Sequence, residues 1–166
     1  PEEYGNYFAW GETAPKEEYT WANYKHCLGS AFSISKYNSS SSFGKVDNKD
    51  ILEPEDDAAT VNWGGKWRMP TKEEMLELVN NCGWSVVTVN GVKCYKATSY
   101  ETRNSILLPC AGWIMNRELD GDGYYVELWS STSLDSEAHT LHITGVNHVH
   151  ANTYAAKRGG LTIRPV

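Results

Sequence analysis

The sequence predicts a single α+β domain, with one or two helices early in the chain followed by a mostly antiparallel sheet and long loops. Its 166 residues are enough to build one hydrophobic core. One segment near residue 70 carries the signature of a capped amphipathic helix. From Cys82 onwards the apolar residues alternate with polar ones and are rich in β-branched types, which is typical of strands. No internal repeat and no linker interrupts residues 1–166, so we expect one domain.

The first third of the chain carries weak signals for regular elements. Residues 1–25 alternate aromatic and turn-forming residues, which predicts a short strand and loops. The serine-dominated stretch 33–42 predicts an exposed loop. A short helix is expected over residues 55–61, because Pro54 suits the position just before a helix and acidic residues favour its first turn.

The clearest helix signal begins at Thr71. Its side chain can cap a helix, and Glu74, three residues later, can return the hydrogen bond. Apolar residues then follow at helical spacing, namely Met75, Leu76, Leu78 and Val79. The pattern predicts a helix over residues 71–81.

The second half of the chain predicts strands. Two β-branched runs, 85–89 and 92–98, flank Asn90-Gly91, which is the strongest short signal for a hairpin because both residues tolerate positive φ. Residues 120–123, with the sequence DGDG, predict a turn. Further strands are expected at residues 105–108, 124–129, 140–144 and 161–166.

Charge and hydropathy exclude two classes of partner. The formal net charge is -6 and the pI is near 5.3, with no run of Lys and Arg, so no nucleic-acid partner is expected. The longest apolar stretches are about four residues, far short of the roughly 20 that cross a bilayer. We therefore expect no direct membrane insertion.

The four cysteines leave two interpretations open. Cys27, Cys82, Cys94 and Cys110 include no C-x-x-C pair, which argues against a zinc site or a thioredoxin-type motif. Up to two disulfides can form among them, in one of three complete pairings. The alternative is that the cysteines act as small buried apolar residues.

Catalytic motifs are absent from the sequence. It contains no G-x-S-x-G, no H-E-x-x-H, no G-x-x-x-x-G-K-[ST] and no dinucleotide-binding glycine pattern. We interpret the acidic runs 17–18 and 53–57 as solvated faces or as the acidic first turn of a helix. A hydrolase that uses these carboxylates is an alternative, which requires them to converge across a cleft. We expect no enzymatic activity and no cofactor.

Two clusters resemble metal sites. Asp120 and Asp122 begin like a calcium loop, but Tyr125 and Ser131 stand where an EF-hand needs Gly and Glu. Four of the five histidines fall within 12 residues, namely His139, His142, His148 and His150. No Cys or carboxylate lies among them to complete a tetrahedral zinc set, so no metal site is expected.

The segment 139–156 differs in composition from the rest of the chain. It contains no charged side chain, although 22% of the chain is charged. Leu141 and Ile143 alternate with polar residues, and Val146 and Val149 recur between polar neighbours, which predicts apolar anchors beneath a displayed polar and aromatic surface. Residues such as Tyr and Asn make adaptable contacts in antibody loops. An ordinary edge strand and loop is the alternative.

The same segment lacks five residue types. Lys, Glu, Gln, Met and Trp do not occur in it. These are types that cannot be reached when only the two adenines of an AAC or AAT codon are replaced, whereas Asn, His, Tyr, Thr, Ala and Gly can be reached. The composition therefore fits a segment rewritten by adenine-directed mutation.

Four motifs, in this order, carry a resemblance to a known family. They are YGNYFAWGET at 4–13, WGGKWRMPT at 63–71, WSSTS at 129–133 and RGGLTIRPV at 158–166. With these motifs the chain resembles surface domains of Bacteroidetes and their phages that have a C-type-lectin-like fold of the formylglycine-generating-enzyme type. The resemblance spans nearly the whole chain and implies that fold.

Some members of this family are target proteins of diversity-generating retroelements, in which adenine-directed mutagenesis rewrites a C-terminal stretch. The resemblance implies an adhesin-like binding domain on a cell surface or phage particle, with a protein or glycan as partner. It places the ligand surface at about residues 139–156, with Trp129 and Arg158 as supports. The implied ligand-binding residues are His139, Thr140, His142, Thr144, Asn147, His148, His150, Asn152, Thr153 and Tyr154.

Two departures from related proteins narrow the implied activity. Formylglycine-generating enzymes act through cysteines near their C-terminus, and no cysteine follows Cys110 here. Calcium-dependent sugar-binding lectins carry E-P-N or Q-P-D together with W-N-D, whereas this chain has Glu53-Pro54-Glu55 and no W-N-D. We therefore expect neither the oxidase chemistry nor calcium-mediated sugar binding. A fixed structural or carbohydrate-binding module of the same fold is the alternative.

Overall fold

The α-helices and the named strands all lie from residue 58 onwards. The structure, a computed structural model, describes residues 3–166. One turn of 3-10 helix, Trp21–Asn23, precedes two helices, α1 (Ala58–Trp63) and α2 (Lys72–Asn81). The strands that follow are β1 (Cys82–Val89), β2 (Val92–Ser99), β3 (Ser105–Pro109), β4 (Trp113–Met115), β5 (Glu118–Asp120), β6 (Val126–Leu134), β7 (Glu137–Gly145) and β8 (His148–Ala156). They form antiparallel sheets in the orders β1-β2-β3, β4-β5 and β6-β7-β8, so the predicted α+β class is confirmed.

The helix predicted over residues 71–81 is confirmed as α2. Thr71 is its N-cap, and Glu74 returns the bond by accepting from the Thr71 amide at 2.9 Å. Met75 is buried between this helix and the strands. At 10 residues α2 is the longest helix in the range 3–166, and no helix there is long and apolar enough to span a membrane.

Helix α1 begins three residues later than the sequence predicts. Its N-cap is Asp57, whose Oδ1 accepts from the amides of Ala59 and Thr60 at 2.8 and 2.9 Å. The Asp57 Oδ2 atom accepts from the amide of Met69 at 2.9 Å. A carboxylate that satisfies three backbone donors fixes the helix start more strongly than Pro54 does, so residues 54–56 form a turn instead.

The predicted hairpin around Asn90-Gly91 is confirmed. Asn90 has φ 49 and Gly91 has φ 83, and Val89 pairs directly with Val92. Two consecutive residues of positive φ give a tight turn whose twist matches the flanking strands. The strand predicted at 105–108 is confirmed as β3, which pairs with β2.

The sheet β6-β7-β8 departs from the prediction in three ways. Strands β6 and β7 contain most of the predicted runs 124–129 and 140–144 but extend further, and β8 is a strand that was not among those predicted. The strand predicted at 161–166 is wrong. Leu161 and Thr162 make only isolated bridges, to Phe8 and Leu128, because this segment closes the gap between the N-terminal loop and β6 instead of joining a ladder.

The small sheet β4-β5 and its turn lie at the edge of the domain. Trp113 pairs with Asp120 in the register of these two short strands, neither of which the sequence pattern predicts. The turn predicted at 120–123 is found at 121–124. Three residues a strand are too few to show a period-two pattern.

The sheet β6-β7-β8 is covered on both of its faces. On one side, which we call the α1 face, Trp129 packs in a cluster with Ala59 of α1 and the N-terminal Trp10. On the other side, the α2 face, Leu141 packs in a cluster with Met75 of α2. The first six residues of β6 are therefore buried in succession, which removes the alternation that predicts a strand.

The serine-rich stretch 33–42 is not the exposed loop that its composition predicts. Tyr37 is 0% exposed and Asn38 is also buried. The carboxylate of Asp47 accepts from both of their amides at 2.9 Å. A polar segment can be buried when its polar groups find hydrogen-bond partners elsewhere in the chain. Here the Asp47 carboxylate is the partner of two backbone amides.

A fully buried cation ties this stretch to the C-terminal half. The Lys157 ammonium donates to the carbonyl of Tyr37 at 2.8 Å, to Ser133 Oγ at 2.7 Å and to the carbonyl of Asp135 at 2.5 Å. It also lies 4.5 Å from the ring centroid of Trp10. Burial lowers the pKa of Lys157 to about 7.

The acidic run 53–57 is only partly a solvated face. Asp56 is 2% exposed and accepts from Lys25 at 2.5 Å, from Lys36 at 2.6 Å and from the hydroxyl of Tyr37 at 2.7 Å. Burial raises the pKa of Asp56, but these hydrogen bonds outweigh burial and hold it well below its usual range. Asp56 and Asp57 are buried while Pro54 and Glu55 are exposed, so the solvated-face interpretation is wrong for the last two residues of the run.

The cysteines follow the second of the two interpretations. All four side chains are thiols, and no disulfide joins them. Cys82, Cys94 and Cys110 are buried, as small apolar residues would be. Cys27 is half-buried, and its Sγ donates to the carbonyl of Trp21 at 3.2 Å.

Candidate functional site

The histidine-rich segment folds into a hairpin at one side of the sheet β6-β7-β8. Strands β7 and β8 pair in antiparallel fashion, with His139 opposite Tyr154 and His142 opposite His150. The turn between them consists of Val146 and Asn147. β8 is an edge strand of this sheet, and several of its side chains are exposed, including His148, His150 and Asn152.

A bulge in β8 puts Tyr154 and His150 on opposite faces of the sheet, although they are four positions apart. Between the pair Thr140–Thr153 and the pair His142–His150, β7 advances by two residues and β8 by three. A slip of one residue moves the following side chains to the opposite face. The ten residues therefore do not form one continuous face.

The α2 face carries His139 and Tyr154. Side chains alternate along β7, so His139 shares a face with the buried Leu141. Burial, followed by the nearby charge of Lys72, lowers the pKa of His139, as expected for a side chain close to the start of α2. Tyr154 is 56% exposed at the same end of the sheet.

The α1 face carries His142, His148 and His150, which we call the histidine patch. The ring centroids of His148 and His150 are 6.5 Å apart, and both residues are exposed. His142 Nδ1 is hydrogen-bonded to the carboxylate of Glu127, a residue of β6 that is 8% exposed. This hydrogen bond raises the pKa of His142.

Aromatic residues that precede the segment 139–156 extend the histidine patch. Tyr125 stacks on His142 with ring centroids 6.2 Å apart, and Trp113 stacks on Tyr125 at 5.7 Å. Tyr124 is largely exposed beside them. Sequence reasoning missed these residues and Glu127. The doublet Tyr124-Tyr125 just before a strand is a signal for the tyrosines, whereas the sequence contains no comparable signal for Trp113.

The remaining predicted residues divide into exposed and inward-facing ones. Thr144, Asn147 and Asn152 are exposed. Thr140 is fully buried, and its hydroxyl lies 2.8 Å from the hydroxyl of the half-buried Thr153. The assignment of Thr140 to the ligand surface is therefore wrong, because a ligand cannot reach it.

Three of the four predicted anchors face inward. Leu141 and Ile143 are buried in the cluster with α2, and Val149 is partly buried against that cluster. Val146 is 42% exposed in the hairpin turn, so its assignment as an anchor is wrong. Val146 lies in the turn and not in a strand, so it does not point into either face of the sheet.

The two predicted supports occupy different places. Trp129 lies opposite Thr140 in the sheet and is fully buried, with its Nε1 donating to the carbonyl of Phe8 at 2.8 Å. Arg158 points to the N-terminal part of the chain, where its Nη1 donates to the carbonyl of Tyr19 at 2.9 Å. Trp129 thus lies on the strand next to the hairpin. Arg158 connects the chain that follows β8 to the N-terminal loop.

The side chains of the site are mainly imidazoles and aromatic rings. Within residues 3–166 no group of three or more His, Cys, Asp or Glu side chains has the arrangement of a metal site. The histidine patch instead offers imidazole nitrogens and aromatic rings on a paired strand. Such groups bind partners through hydrogen bonds and ring contacts.

Comparison with known proteins gives no relative of this chain. No family model, no curated protein and no solved structure matches it. Its function is therefore inferred from its own residues and their geometry.

Proposed function

We propose that this chain is a non-catalytic, adhesin-like binding domain with a C-type-lectin-like fold, carried on a cell surface or phage particle. It recognises a protein or glycan through the β7–β8 hairpin. The observation that carries the proposal is the division of the hairpin into displayed and anchored residues. His148, His150 and Tyr154 are exposed, while Ile143 and Ala151 of the same hairpin are buried at 0% and 1% exposure.

This division lets the surface change while the fold stays the same. Strand β7 is paired on both sides, by β6 and β8, so the backbone of the hairpin is set by its ladders and by its buried residues. Substitution of an exposed residue away from special contacts changes the free energy of unfolding by no more than about 0.5 kcal/mol. The exposed positions are therefore free to be selected for binding.

The exposed residues also have suitable chemistry for a binding surface. Tyr154 and the histidine patch combine apolar rings with polar atoms and lose little conformational entropy when they become ordered. The stacked Trp113 and Tyr125 beside them are half-buried, so they supply fixed aromatic area next to the changeable positions. We propose that adenine-directed mutation diversifies the exposed hairpin positions in nature, among them His148, His150 and Tyr154.

The acidic residues support a non-catalytic role. Asp56 and Asp57 are committed to structural hydrogen bonds with lysines and backbone amides. Glu127 is held by His142. None of these three carboxylates is left to act as a general acid or base across a cleft.

Two displayed libraries test the proposal. The outer library randomises His148, His150, Asn152 and Tyr154, and the inner library randomises four buried positions of the same hairpin, which are Ala138, Leu141, Ile143 and Ala151. The fraction of clones that resist protease on the yeast surface is measured for each library. We expect most outer clones and few inner clones to remain folded, because only the inner positions pack against α1 or α2.

The outer library is then selected against immobilised lysozyme as an unrelated target. Clones that bind, and that lose binding when the randomised positions are returned to Ser, would support the proposal. An outer library as protease-sensitive as the inner one would overturn it, since the surface would then be required for folding.

Sequencing of the C-terminal coding region in sibling genomes tests the diversification. We expect differences concentrated at the exposed hairpin positions, beside an adenine-rich template copy and a reverse transcriptase gene. A uniform sequence would instead favour a fixed structural or carbohydrate-binding module of the same fold.

A further inference from the structure

A cleft separate from the hairpin surface opens beside helix α2. It has a volume of about 490 Å³ and lies between α2, the end of β2, β3 and the sheet β6-β7-β8. Its floor is apolar and includes Met75, Leu78, Ile106, Leu108 and Leu141. A cleft of this size and lining is typical of small-molecule sites, which bury an apolar body and fix it with a few polar groups.

Two carboxylates stand at one end of this cleft. Glu77 and Glu101 line it near the C-terminal end of α2, where the amide of Tyr100 donates to the carbonyl of Asn81 at 3.0 Å. Neither carboxylate is held in an ion pair by any residue in the range 3–166. A third lining carboxylate, Glu74, differs because Arg68 pairs with it at 2.5 Å.

The helix itself adds negative potential at the same end. The C-terminus of a helix carries about half a negative charge on its last carbonyl groups. The last turn of α2 contains no basic residue to offset that charge. Glu77, Glu101 and the helix end thus favour a cation at one place.

The positive charge of the lining lies toward the opposite end. Arg164 stands two residues before Val166, whose amide donates to the carbonyl of Arg68 at 3.0 Å. Arg68 leads into the N-terminal end of α2. The cleft is therefore polarised along the helix, with its negative end at Glu77 and Glu101.

We propose that this cleft binds a small amphipathic cation, with an alkyl or aromatic body on the apolar floor and an ammonium group at Glu77 and Glu101. A neutral molecule of the same body gains only the apolar contact. An anion of the same body is repelled by the two carboxylates and the helix end and can only turn its charge toward Arg164, so it binds less well than the cation. This site shares no exposed residue with the hairpin surface, and either proposal can fail alone.

Three probes of matched length test the proposal at pH 7, namely hexylammonium, 1-hexanol and hexanoate. Methyl NMR spectra report on the floor through Met75, Leu78, Ile106, Leu108 and Leu141. We expect hexylammonium to shift these methyl signals with a Kd about fivefold lower than that of 1-hexanol, as expected for an ion pair at the protein surface. Hexanoate should bind more weakly than hexylammonium.

A charge-only variant separates the carboxylates from the apolar floor. In Glu77→Gln/Glu101→Gln we expect most of the preference for hexylammonium over 1-hexanol to be lost, while 1-hexanol binds as before, because both changed residues are exposed and the floor is intact. The matched control Glu55→Gln/Glu118→Gln, which changes two exposed carboxylates elsewhere, should keep the fivefold preference. Hexanoate binding as tightly as hexylammonium, or an absence of methyl shifts with hexylammonium, would overturn the proposal.

Discussion

His142, His148 and His150 lie in one patch, yet their surroundings give them different roles. His148 and His150 are exposed, and their contact in the structure is with each other. His142 is hydrogen-bonded to the nearly buried Glu127 and is covered by the ring of Tyr125. We infer that His148 and His150 are free to change, whereas His142 contributes to the fold as well as to the surface.

The first prediction follows from this difference. We expect His148→Ser/His150→Ser/Tyr154→Ser to change the free energy of unfolding by less than about 1 kcal/mol in total. His142→Ser alone should lose about 1–3 kcal/mol, because it leaves the Glu127 carboxylate without its partner. Urea denaturation at pH 6 measures both variants. A loss of several kcal/mol in the triple variant would show that the displayed residues belong to the core.

The second prediction concerns the pH dependence of the same pair. Glu127 raises the pKa of His142 in the folded state above its unfolded value of about 6.5. The pair therefore stabilises the protein fully below about pH 6.5, and this stabilisation is lost as the pH rises through the raised pKa.

Comparison with His142→Asn isolates this effect from His139, whose pKa is shifted in the opposite direction. We expect the difference in unfolding free energy between wild type and His142→Asn to be largest near pH 6 and to shrink toward pH 9. The measurement is urea denaturation at pH steps between those limits. A difference that grows with pH would show that the pair does not stabilise the charged imidazole.

The helices begin where a side chain satisfies their first amides. Thr71 caps α2 by accepting one hydrogen bond from the Glu74 amide at its Oγ1, in a half-buried position. Asp57 caps α1 with two and accepts a third from the amide of Met69, all close to the core. We infer that the two caps differ in strength, because unsatisfied buried amides cost more than exposed ones.

The third prediction compares the two caps. Thr71→Ala should lose about 1 kcal/mol of unfolding free energy, the usual value for an N-cap. Asp57→Ala should lose more, about 2–4 kcal/mol, because three amides lose their acceptor in a buried setting. Asn80→Ala, an exposed change on α2, is the control and should stay within about 0.5 kcal/mol. Equal losses for the two caps would contradict this account.

At the scale of the whole molecule, the two ends of the chain are joined. Phe8 and Leu161 exchange both backbone hydrogen bonds, at 2.9 and 3.1 Å, and both side chains are buried in the cluster with Trp129. Lys157 joins the 33–42 stretch to the C-terminal half through its three hydrogen bonds. We infer that the N-terminal loops fold together with the sheet, as one cooperative unit.

The fourth prediction tests this closure. Leu161→Ala should lose about 2–4 kcal/mol, since it leaves a cavity between the N-terminal segment and the sheet. Near-UV circular dichroism, which reports on the buried Trp10 and Trp129, should follow the same single transition as the far-UV signal. Leu119→Ala, which removes an exposed leucine, is the control and should cost little. Two separate transitions would show that the N-terminal loops unfold on their own.

The sequence by itself determined the elements whose signals are local. The capping box at Thr71, the Asn90-Gly91 hairpin and the β3 strand depend on residues within a few positions of one another, so their patterns survive without tertiary context. The composition of 139–156 predicted a displayed polar and aromatic surface with buried anchors, but it did not predict strand β8. Several exposed residues and buried anchors of the proposed site lie within that segment.

Only the tertiary structure decided which of those residues a ligand can reach. Alternation along β7 alone puts His139 and His142 on opposite faces, but the bulge in β8 is what separates Tyr154 from His150. Thr140 is buried although it shares a face with His142, because distant parts of the chain cover it. The contacts of His142 with Glu127 and Tyr125 come from residues more than ten positions away in the chain. Lys157 is buried for the same reason, because its partners are supplied by distant loops. Such pairings cannot be predicted from local sequence, because they form only when segments that are distant in the chain pack together in the folded protein.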